Sequence, residues 1–392
     1  NSDLKEYWKH YSKWNWTDLE KIVISPGIPI SGKNIHPVIY LAKLHKIRLI
    51  NEIEFLFYKK PKAKIIGITG TNGKSTLVSL ISHILKQNNI PNVVCGNFGN
   101  PACLIDDPGK KGVIILELSS YQLKSVPSLK VDFCSIINIS TDHIDYHGNF
   151  TSYLNSKLEL LKAVNQKGAI IINKNEEFLQ KKIHTFIKKK QIQTKMIYTG
   201  NIKIKSNYIF GKHNLELFEI ANKICKNIGL SDTKIKKAIS SFQPLPHRME
   251  TIFKKDKLTI INDSKATNGN SSSAALKTFK NIYWIAGGLK KKDGLGESLK
   301  HLENVRKIYL FGSSKNFFLN QLKKINFKYP ICKFDKLELA IDQILKDIKK
   351  NKNIDQTILF SPAAASFDEY ENFEKRGLIF KKIILKKVRD FK

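Results

Sequence analysis

The residues best suited to chemistry in this chain form one glycine-rich segment that ends in Lys-Ser-Thr. It reads Gly67-Ile68-Thr69-Gly70-Thr71-Asn72-Gly73-Lys74-Ser75-Thr76. Such a segment binds nucleotide phosphates through its backbone N–H groups, while the lysine reaches the terminal phosphates and a hydroxyl holds Mg²⁺. We therefore predict that Gly70 to Thr76 bind a nucleoside triphosphate, with Lys74 on the phosphates and Ser75 or Thr76 on the metal. A turn that only links a strand to a helix is the alternative.

The apolar pattern on either side predicts the elements that position this segment. Residues 63–68 form an apolar run that predicts a buried strand. After the glycines, Leu77, Leu80 and Ile81 fall on one face of a predicted helix over 77–86. Strand, glycine loop and helix, in this order, are the context that a phosphate-binding loop requires.

The spacing of the glycines is unusual and points to a family. They recur every third residue, whereas the common phosphate loop has them five residues apart. The pattern Gly-x-x-Gly-Thr-Asn-Gly-Lys-Ser/Thr resembles the ATP loop of the Mur ligases and the folylpolyglutamate synthetases, which use ATP to join an amino acid to a carboxylate. Three further segments resemble the D-glutamate-adding Mur ligases in particular: Glu117-Leu118-Ser119-Ser120-Tyr121-Gln122-Leu123, Ile261-Asn262-Asp263-Ser264-Lys265-Ala266-Thr267-Asn268 and Ser361-Pro362-Ala363-Ala364-Ala365-Ser366-Phe367-Asp368.

Besides Ser75, the chain has three candidate metal ligands: Glu117, His143 and Lys157. Glu117 ends an apolar run, and ligands of open α/β sheets lie beyond the carboxyl ends of the strands. From the residues alone, Glu117 and His143 could equally begin or line a polar loop, and Lys157 could be a solvated surface lysine. The resemblance implies that Glu117 coordinates Mg²⁺, that His143 in Asn-x-x-x-Asp-His binds a second Mg²⁺, and that a carbamylated Lys157 ligates the same ion. Carboxylate-type oxygens suit this hard cation.

The resemblance also implies which residues contact the nucleotide and the substrates. For ATP these are Asn214, Arg248 and Asp263, with a linker-bracing role as the alternative for Arg248. For the sugar-linked substrate it is Asn97. For the amino acid they are Lys265, Thr267, Lys291, Ser366 and Phe373, the last two at the start of a helix. The choice of Lys291 over Lys290 or Lys292 stays open, and Leu217 stands where the family has a second Asn.

The chain is predicted to be an α/β protein with three-domain Mur ligase architecture. We expect residues 1–62 to be part of a UDP-substrate-binding domain that lacks its start, since the matches begin late in the family's first domain. Residues 63–244 are expected to be a central ATPase domain with a parallel sheet, and 245–392 a Rossmann-like domain that binds the amino acid. Strands are predicted at 63–68, 92–95, 112–116, 131–138, 169–173, 258–261, 282–286, 307–311 and 357–360. Further helices are predicted at 152–164, 216–227 and about 367–388.

Composition restricts the function classes. The 392 residues carry a net charge of +33, which favours nucleic-acid binding in principle, but the lysines are dispersed and no nucleic-acid motif accompanies them. We expect no nucleic-acid partner and attribute the charge to a compositional preference for lysine. The five scattered cysteines predict a reducing cytoplasmic location, and no apolar stretch is long enough to cross a membrane. We expect a monomer.

The resemblance implies an ATP-dependent ligase, with ATP and Mg²⁺ as cofactors. It would add D-glutamate to UDP-N-acetylmuramoyl-L-alanine through an acyl phosphate, an early step of peptidoglycan synthesis. Another Mur ligase or a folylpolyglutamate synthetase is the alternative within the enzyme class. A basic P-loop ATPase that binds nucleic acid is the alternative outside it. A chain that binds ATP but performs little synthesis is a third.

Overall fold

The structure is a computed structural model that describes residues 9–30, 35–200, 212–243, 245–349 and 354–389. The chain divides into two compact units. The first comprises Asn1–Lys205 and Leu215–Ser241, and the second comprises Ser206–Asn214 and Phe242–Lys392. Among the described residues, no helix combines the length and the apolar character needed to cross a membrane. The division into three domains at residues 62 and 244 stays a prediction.

The strands of the first unit lie between residues 21 and 198. They are β1 (Lys21–Val23), β2 (Arg48–Ile50), β3 (Lys64–Thr69), β4 (Asn92–Gly96), β5 (Val113–Glu117), β6 (Val131–Ile136), β7 (Val164–Ile172) and β8 (Lys195–Tyr198). The helices up to residue 241 are α1 (Pro37–Leu44), α2 (Glu54–Tyr58), α3 (Lys74–Gln87), α4 (Ile144–His147), α5 (Phe150–Leu158), α6 (Glu177–Lys190), α7 (Lys212–Ile228) and α8 (Asp232–Ser241). β1 and β2 pair in parallel, and the hydrophobic cluster around Ile39 packs beside them.

Six parallel strands form the main sheet of this unit, in the order β4-β5-β3-β6-β7-β8. Every residue of β5 is buried, and so are all but the first of β3. Strands buried on both faces read as continuous apolar runs, which is why the sequence predicted them. The predicted parallel sheet is confirmed. Because β3, β5 and β6 run in the same direction, the segments that follow Thr69, Glu117 and Ile136 meet at one edge of the sheet.

The second unit contains another six-stranded sheet. Its strands are β9 (Glu250–Lys255), β10 (Leu258–Asn262), β11 (Ile282–Gly287), β12 (Val305–Phe311), β13 (Ile331–Lys333) and β14 (Gln356–Phe360), in the order β13-β12-β11-β14-β10-β9. β9 is antiparallel to β10 and all other pairs are parallel. The helices are α9 (Gly269–Thr278), α10 (Lys315–Lys324), α11 (Leu337–Lys349) and α12 (Phe373–Arg389).

The prediction for the start of the last helix is wrong. α12 begins at Phe373, six residues after the predicted start. Residues 367–369 form a turn instead, in which the N–H groups of Glu369 and Tyr370 donate to the carbonyl of Ser366. The cap of α12 is Asn372, whose side chain accepts the N–H of Lys375 at 2.8 Å. Ser366 therefore does not lie at the helix start.

Candidate active site

The phosphate loop connects β3 to α3. Gly73 precedes the helix with φ of 83°, a left-handed conformation that favours glycine. Lys74 begins the helix, and its Nζ donates to the carbonyls of Gly70 at 2.9 Å and Thr71 at 3.1 Å. The lysine is thus folded along the loop, beside the N–H groups of the helix N-terminus, where an anion is favoured. Ser75 is buried in the first turn and Thr76 is half-buried.

The Asn138 side chain, which sequence reasoning did not assign to the site, contacts this loop. Its Oδ1 accepts the backbone N–H groups of Thr71 at 3.1 Å and Asn72 at 3.0 Å. Its Nδ2 donates to the carbonyl of Asn72 at 3.1 Å. The sequence did single out this residue, because Asn138 begins the Asn-x-x-x-Asp-His pattern from which His143 was predicted.

The Thr71 hydroxyl joins the loop to two other segments. It accepts the backbone N–H of Ser140 at 3.0 Å and lies 3.2 Å from the carbonyl of the same residue. It also lies 3.0 Å from the hydroxyl of Tyr153 on α5. The loop is therefore bound by hydrogen bonds to the segment after β6 and to the helix that carries Lys157.

Glu117 lies at the carboxyl end of β5, almost fully buried. Its Oε1 accepts the side-chain N–H of Asn97 at 2.7 Å, so the structure brings together two residues that were predicted for different roles. Its Oε2 is buried and has no hydrogen-bond partner among the described residues. A buried carboxylate oxygen in this state is unfavourable unless a cation or a donor binds it.

Lys157 is buried on α5, with 2% of its surface exposed, so it is not a solvated surface lysine. Its Nζ donates to the carbonyl of Gly70 at 2.9 Å, the same oxygen that Lys74 contacts, and lies 4.8 Å from the centre of the Tyr153 ring. Burial lowers the pKa of Lys157 well below its ordinary value, and the nearby charge of Lys74 lowers it further. This shift favours the neutral amine, which is the nucleophilic form, relative to an exposed lysine.

His143 lies at the start of α4 with φ of 53°. Its ring centre is 5.0 Å from that of Tyr121 and 6.2 Å from that of Tyr153. Its Nε2 is 3.5 Å from a carboxylate oxygen of Asp142. Across the described part of the chain, no group of three or more His, Cys, Asp or Glu side chains could hold a metal. The metal set Ser75, Glu117, His143 and Lys157 stays a prediction.

Leu217 on α7 packs against the phosphate loop. The side chain is 3% exposed, and a Cβ at Gly73 would lie only 3.2 Å from its Cδ2. The residue that departs from the family pattern is thus an apolar contact on the loop glycine. Asn214 lies half-buried in the first turn of the same helix. Gly211, immediately before this helix, lies outside the described residues.

In the second unit, Asp263 follows β10 in the buried interior. Its Oδ1 accepts the N–H of Met249 at 3.1 Å and its Oδ2 accepts the hydroxyl of Ser361 at 2.7 Å. Burial raises the pKa of Asp263 to about 7, although both hydrogen bonds and the charge of Arg248 oppose the rise. Arg248 itself is half-buried.

Two of the residues predicted for the amino-acid site are in contact. The Nζ of Lys265 lies 3.9 Å from the centre of the Phe373 ring, a cation–π distance. Thr267 follows in the same loop, and its N–H donates to the carbonyl of Lys265 at 2.8 Å. Ser366 is buried, with 2% exposed, and Lys291 is exposed. The neighbouring Lys290 lies 4.2 Å from the Phe317 ring centre, so its ammonium group is already in contact with an aromatic ring.

The buried Arg376 holds together the segments that carry Lys265 and Ser366. Its guanidinium donates to the hydroxyl and the carbonyl of Ser264, and also to the carbonyls of Ala364 and Ala365, at 2.8 to 3.1 Å. These bonds satisfy the planar donor set of arginine inside the unit. Arg376 is a positioning residue of the fold.

Comparison with known proteins identifies the family. The Mur ligase middle domain matches residues 68–231, and the Mur ligase glutamate ligase domain matches residues 247–364. The UDP-N-acetylmuramoylalanine–D-glutamate ligase of Rickettsia bellii is 35% identical over 399 residues, covering 96% of this chain and 87% of that protein. This chain belongs to the UDP-N-acetylmuramoylalanine–D-glutamate ligase family. The Rickettsia felis member is also 35% identical, over 94% of this chain and 84% of its own.

Solved structures of the wider Mur ligase group share the fold. The MurF ligase of Thermotoga maritima in complex with ADP has a TM-score of 0.63 and 15% identity, covering 95% of this chain and 100% of that one. At this identity the likeness establishes the fold alone. The predicted Mur ligase architecture of this family member is thereby confirmed.

Proposed function

We propose that this chain is an ATP-dependent ligase that joins D-glutamate to UDP-N-acetylmuramoyl-L-alanine in peptidoglycan synthesis. The observation that carries the proposal is 35% identity to D-glutamate ligases over 96% of the chain. The glycine loop at the carboxyl edge of the sheet supports ATP as the energy source, and so does the ADP in the related MurF structure.

The reaction proposed for this site has two steps. The carboxylate of UDP-N-acetylmuramoyl-L-alanine attacks the γ-phosphorus of ATP, releases ADP and forms an acyl phosphate. The amine of D-glutamate then attacks the acyl carbon, phosphate leaves and the amine loses a proton, which gives the amide. Such transfers depend on positioning and on stabilising negative charge. Lys74 and the N-terminus of α3 supply positive potential for the phosphates in this proposal, and Arg248 supplies a bidentate donor.

The residues present suit Mg²⁺. The unpartnered Oε2 of Glu117 is the kind of buried oxygen that this cation binds. We propose that Ser75, Glu117, His143 and Lys157 hold the magnesium ions, which supply charge neutralisation when bound. For Lys157, the neutral amine bonds to the carbon of CO₂ and a proton goes to solvent. The product is a carbamate, which converts a nitrogen donor into an oxygen ligand.

For the substrates, we propose that Asn97 contacts the sugar-linked substrate from its place beside Glu117. We propose that D-glutamate is held by Lys265, Thr267, Lys291, Ser366 and Phe373. Ammonium groups suit the two carboxylates of this amino acid. Nucleotide contacts are assigned to Asn214 and Asp263 in addition to the loop. We further propose that the protein is cytoplasmic. We also propose that it is a monomer, since one chain carries all of these residues, and light scattering tests the oligomeric state.

The test is phosphate release from ATP by the purified chain with Mg²⁺ and UDP-N-acetylmuramoyl-L-alanine. We expect release that depends on D-glutamate and is not supported by L-glutamate, L-alanine or L-lysine. Release that ignores the amino acid but rises with RNA or DNA would contradict the proposal. Release with L-lysine in place of D-glutamate would reassign the chain to another amino-acid specificity.

A further inference from the structure

The segment that follows β6, residues 137–140, holds the phosphate loop from one side. Five of the contacts described above join this segment to Thr71 and Asn72. The backbone carbonyl of Asn138 also accepts the N–H of Thr71 at 3.2 Å. The two segments touch directly, since a Cβ at Gly70 would lie 3.1 Å from the Cβ of Ile137. The loop is thus fixed by the segment that follows β6, the strand next to its own.

The chemistry of the Asn138 contact is specific to an amide. One oxygen accepts two backbone N–H groups, and the adjacent nitrogen donates to the Asn72 carbonyl. An amide is the shortest side chain that offers an acceptor and a donor on one planar group, whereas a carboxylate only accepts. The contact therefore fixes the N–H groups of Thr71 and Asn72 and the carbonyl of Asn72.

We propose that Asn138 is a positioning residue of the nucleotide site, whose side chain holds the phosphate loop in the conformation that receives the triphosphate. The loop residues that it fixes come immediately before Gly73 and Lys74. The N–H groups at the start of α3 have no intrahelical carbonyl partner, which suits them to bind an anion. Because Asn138 holds Thr71 and Asn72, these N–H groups and the Lys74 side chain stay oriented for the phosphates. Less conformational entropy is then lost when the nucleotide binds.

The experiment measures ADP binding to the full chain in MgCl₂ by calorimetry. This inference rests on the proposed ATP site, so the wild type is measured first. We expect Asn138→Ala to weaken ADP binding tenfold or more and to raise the KM for ATP similarly. The KM values for UDP-N-acetylmuramoyl-L-alanine and D-glutamate should change less than twofold. If Asn138 contributed only to stability, the KM for ATP would not rise while the other two KM values stay nearly unchanged.

Asn51→Ala is the matched control. Asn51 is buried and, like Asn138, makes three side-chain hydrogen bonds. It donates to Gln122 and Ser125 and accepts from Ile53, so none of these bonds reaches the phosphate loop. We expect this variant to lose thermal stability and keep wild-type ADP affinity. If Asn138→Ala does not fold, Asn138→Asp tests the same point. It keeps an acceptor for both N–H groups and places an oxygen against the Asn72 carbonyl, so ADP affinity should again fall.

Wild-type ADP affinity in a folded Asn138 variant would overturn the inference. An equal loss of affinity in Asn51→Ala would also overturn it, because the effect would then follow general stability. A wild-type chain that fails to bind ADP would overturn the proposed function itself, and the inference would fall with it.

Discussion

Replacing Asp263 by Asn should stabilise the second unit, and more strongly at high pH. Asp263 is buried, and folding raises the pKa of its carboxyl group from 3.8 to about 7. Between these values the folded protein binds a proton that the unfolded chain releases, so the free energy of unfolding falls as pH rises. The loss is complete above about pH 7, where it reaches about 4 kcal/mol.

The amide side chain that Asp263→Asn introduces has partners available in the same network. Its oxygen can accept the N–H of Met249, and its nitrogen can donate to the hydroxyl of Ser361. That hydroxyl can then donate to Ser272, whose oxygen is 2.9 Å away. Because no hydrogen bond need be lost, the removal of the buried charge should dominate. The stabilisation by Asp263→Asn should therefore be about 3 kcal/mol larger at pH 8 than at pH 5.

Urea unfolding followed by tryptophan fluorescence measures this effect. Trp284 is one of four tryptophans, is fully buried, and donates its indole N–H to the carbonyl of Ser361 at 2.8 Å. In a background with Trp8, Trp14 and Trp16 changed to Phe, Trp284 alone reports on the second unit. A stability difference that stays the same from pH 5 to pH 8, or that favours Asp263 at pH 8, would refute the reasoning.

Asp347→Asn is the control within the same unit. Burial alone would raise the pKa of Asp347, but hydrogen bonds from Lys307 and Tyr309 hold it below its ordinary value. Its stabilising effect is therefore present above the ordinary pKa and is lost only at lower pH. Asp347→Asn should destabilise the protein by a similar amount at pH 5 and at pH 8, opposite in sign to Asp263→Asn.

Three further predictions concern single positions. Lys74→Ala should abolish turnover, because the phosphates lose their main cation, and wild-type phosphate release would remove the loop from the mechanism. Glu117→Gln keeps an acceptor for Asn97 but removes the negative charge. Half-maximal phosphate release should then require at least tenfold more Mg²⁺. An unchanged Mg²⁺ dependence would exclude Glu117 as a ligand. Gly377→Ala should lower the melting temperature, since the added Cβ would clash with Nδ1 of the buried His247. Such overpacking costs about 2 kcal/mol. An unchanged melting temperature would show that the His247 ring can move aside.

The central strands could be predicted from the sequence because burial on both faces leaves an unmistakable apolar run. The edge strands β8 and β13 could not. β8 and β13 contain mainly half-exposed and exposed residues, so their composition does not differ from that of a loop. The start of α12 was misplaced for a local reason, since Ser366 and Asn372 are both capping residues and only the structure shows which one accepts a helical N–H.

Some features of the candidate site could likewise be predicted from the sequence, and others could not. The phosphate loop and Glu117 lie next to recognisable strands, so their residue types and positions predicted their place. The shared contact of Lys74 and Lys157 with the Gly70 carbonyl could not be predicted, because Lys157 and Gly70 are 87 positions apart and come together only through the sheet. The contact of Asn138 with Thr71 was missed although the pattern that begins with Asn138 was recognised, because these two residues are 67 positions apart.

The most direct test of the proposed chemistry follows the oxygen atoms of the substrate carboxylate. With ¹⁸O in the alanine carboxylate of UDP-N-acetylmuramoyl-L-alanine, attack on ATP and expulsion of phosphate by D-glutamate transfer one labelled oxygen to phosphate. We expect mass spectrometry to find one ¹⁸O in each inorganic phosphate released, and only when D-glutamate is present. Unlabelled phosphate would mean that ATP is hydrolysed without activating the carboxylate, which would contradict the proposed ligase reaction.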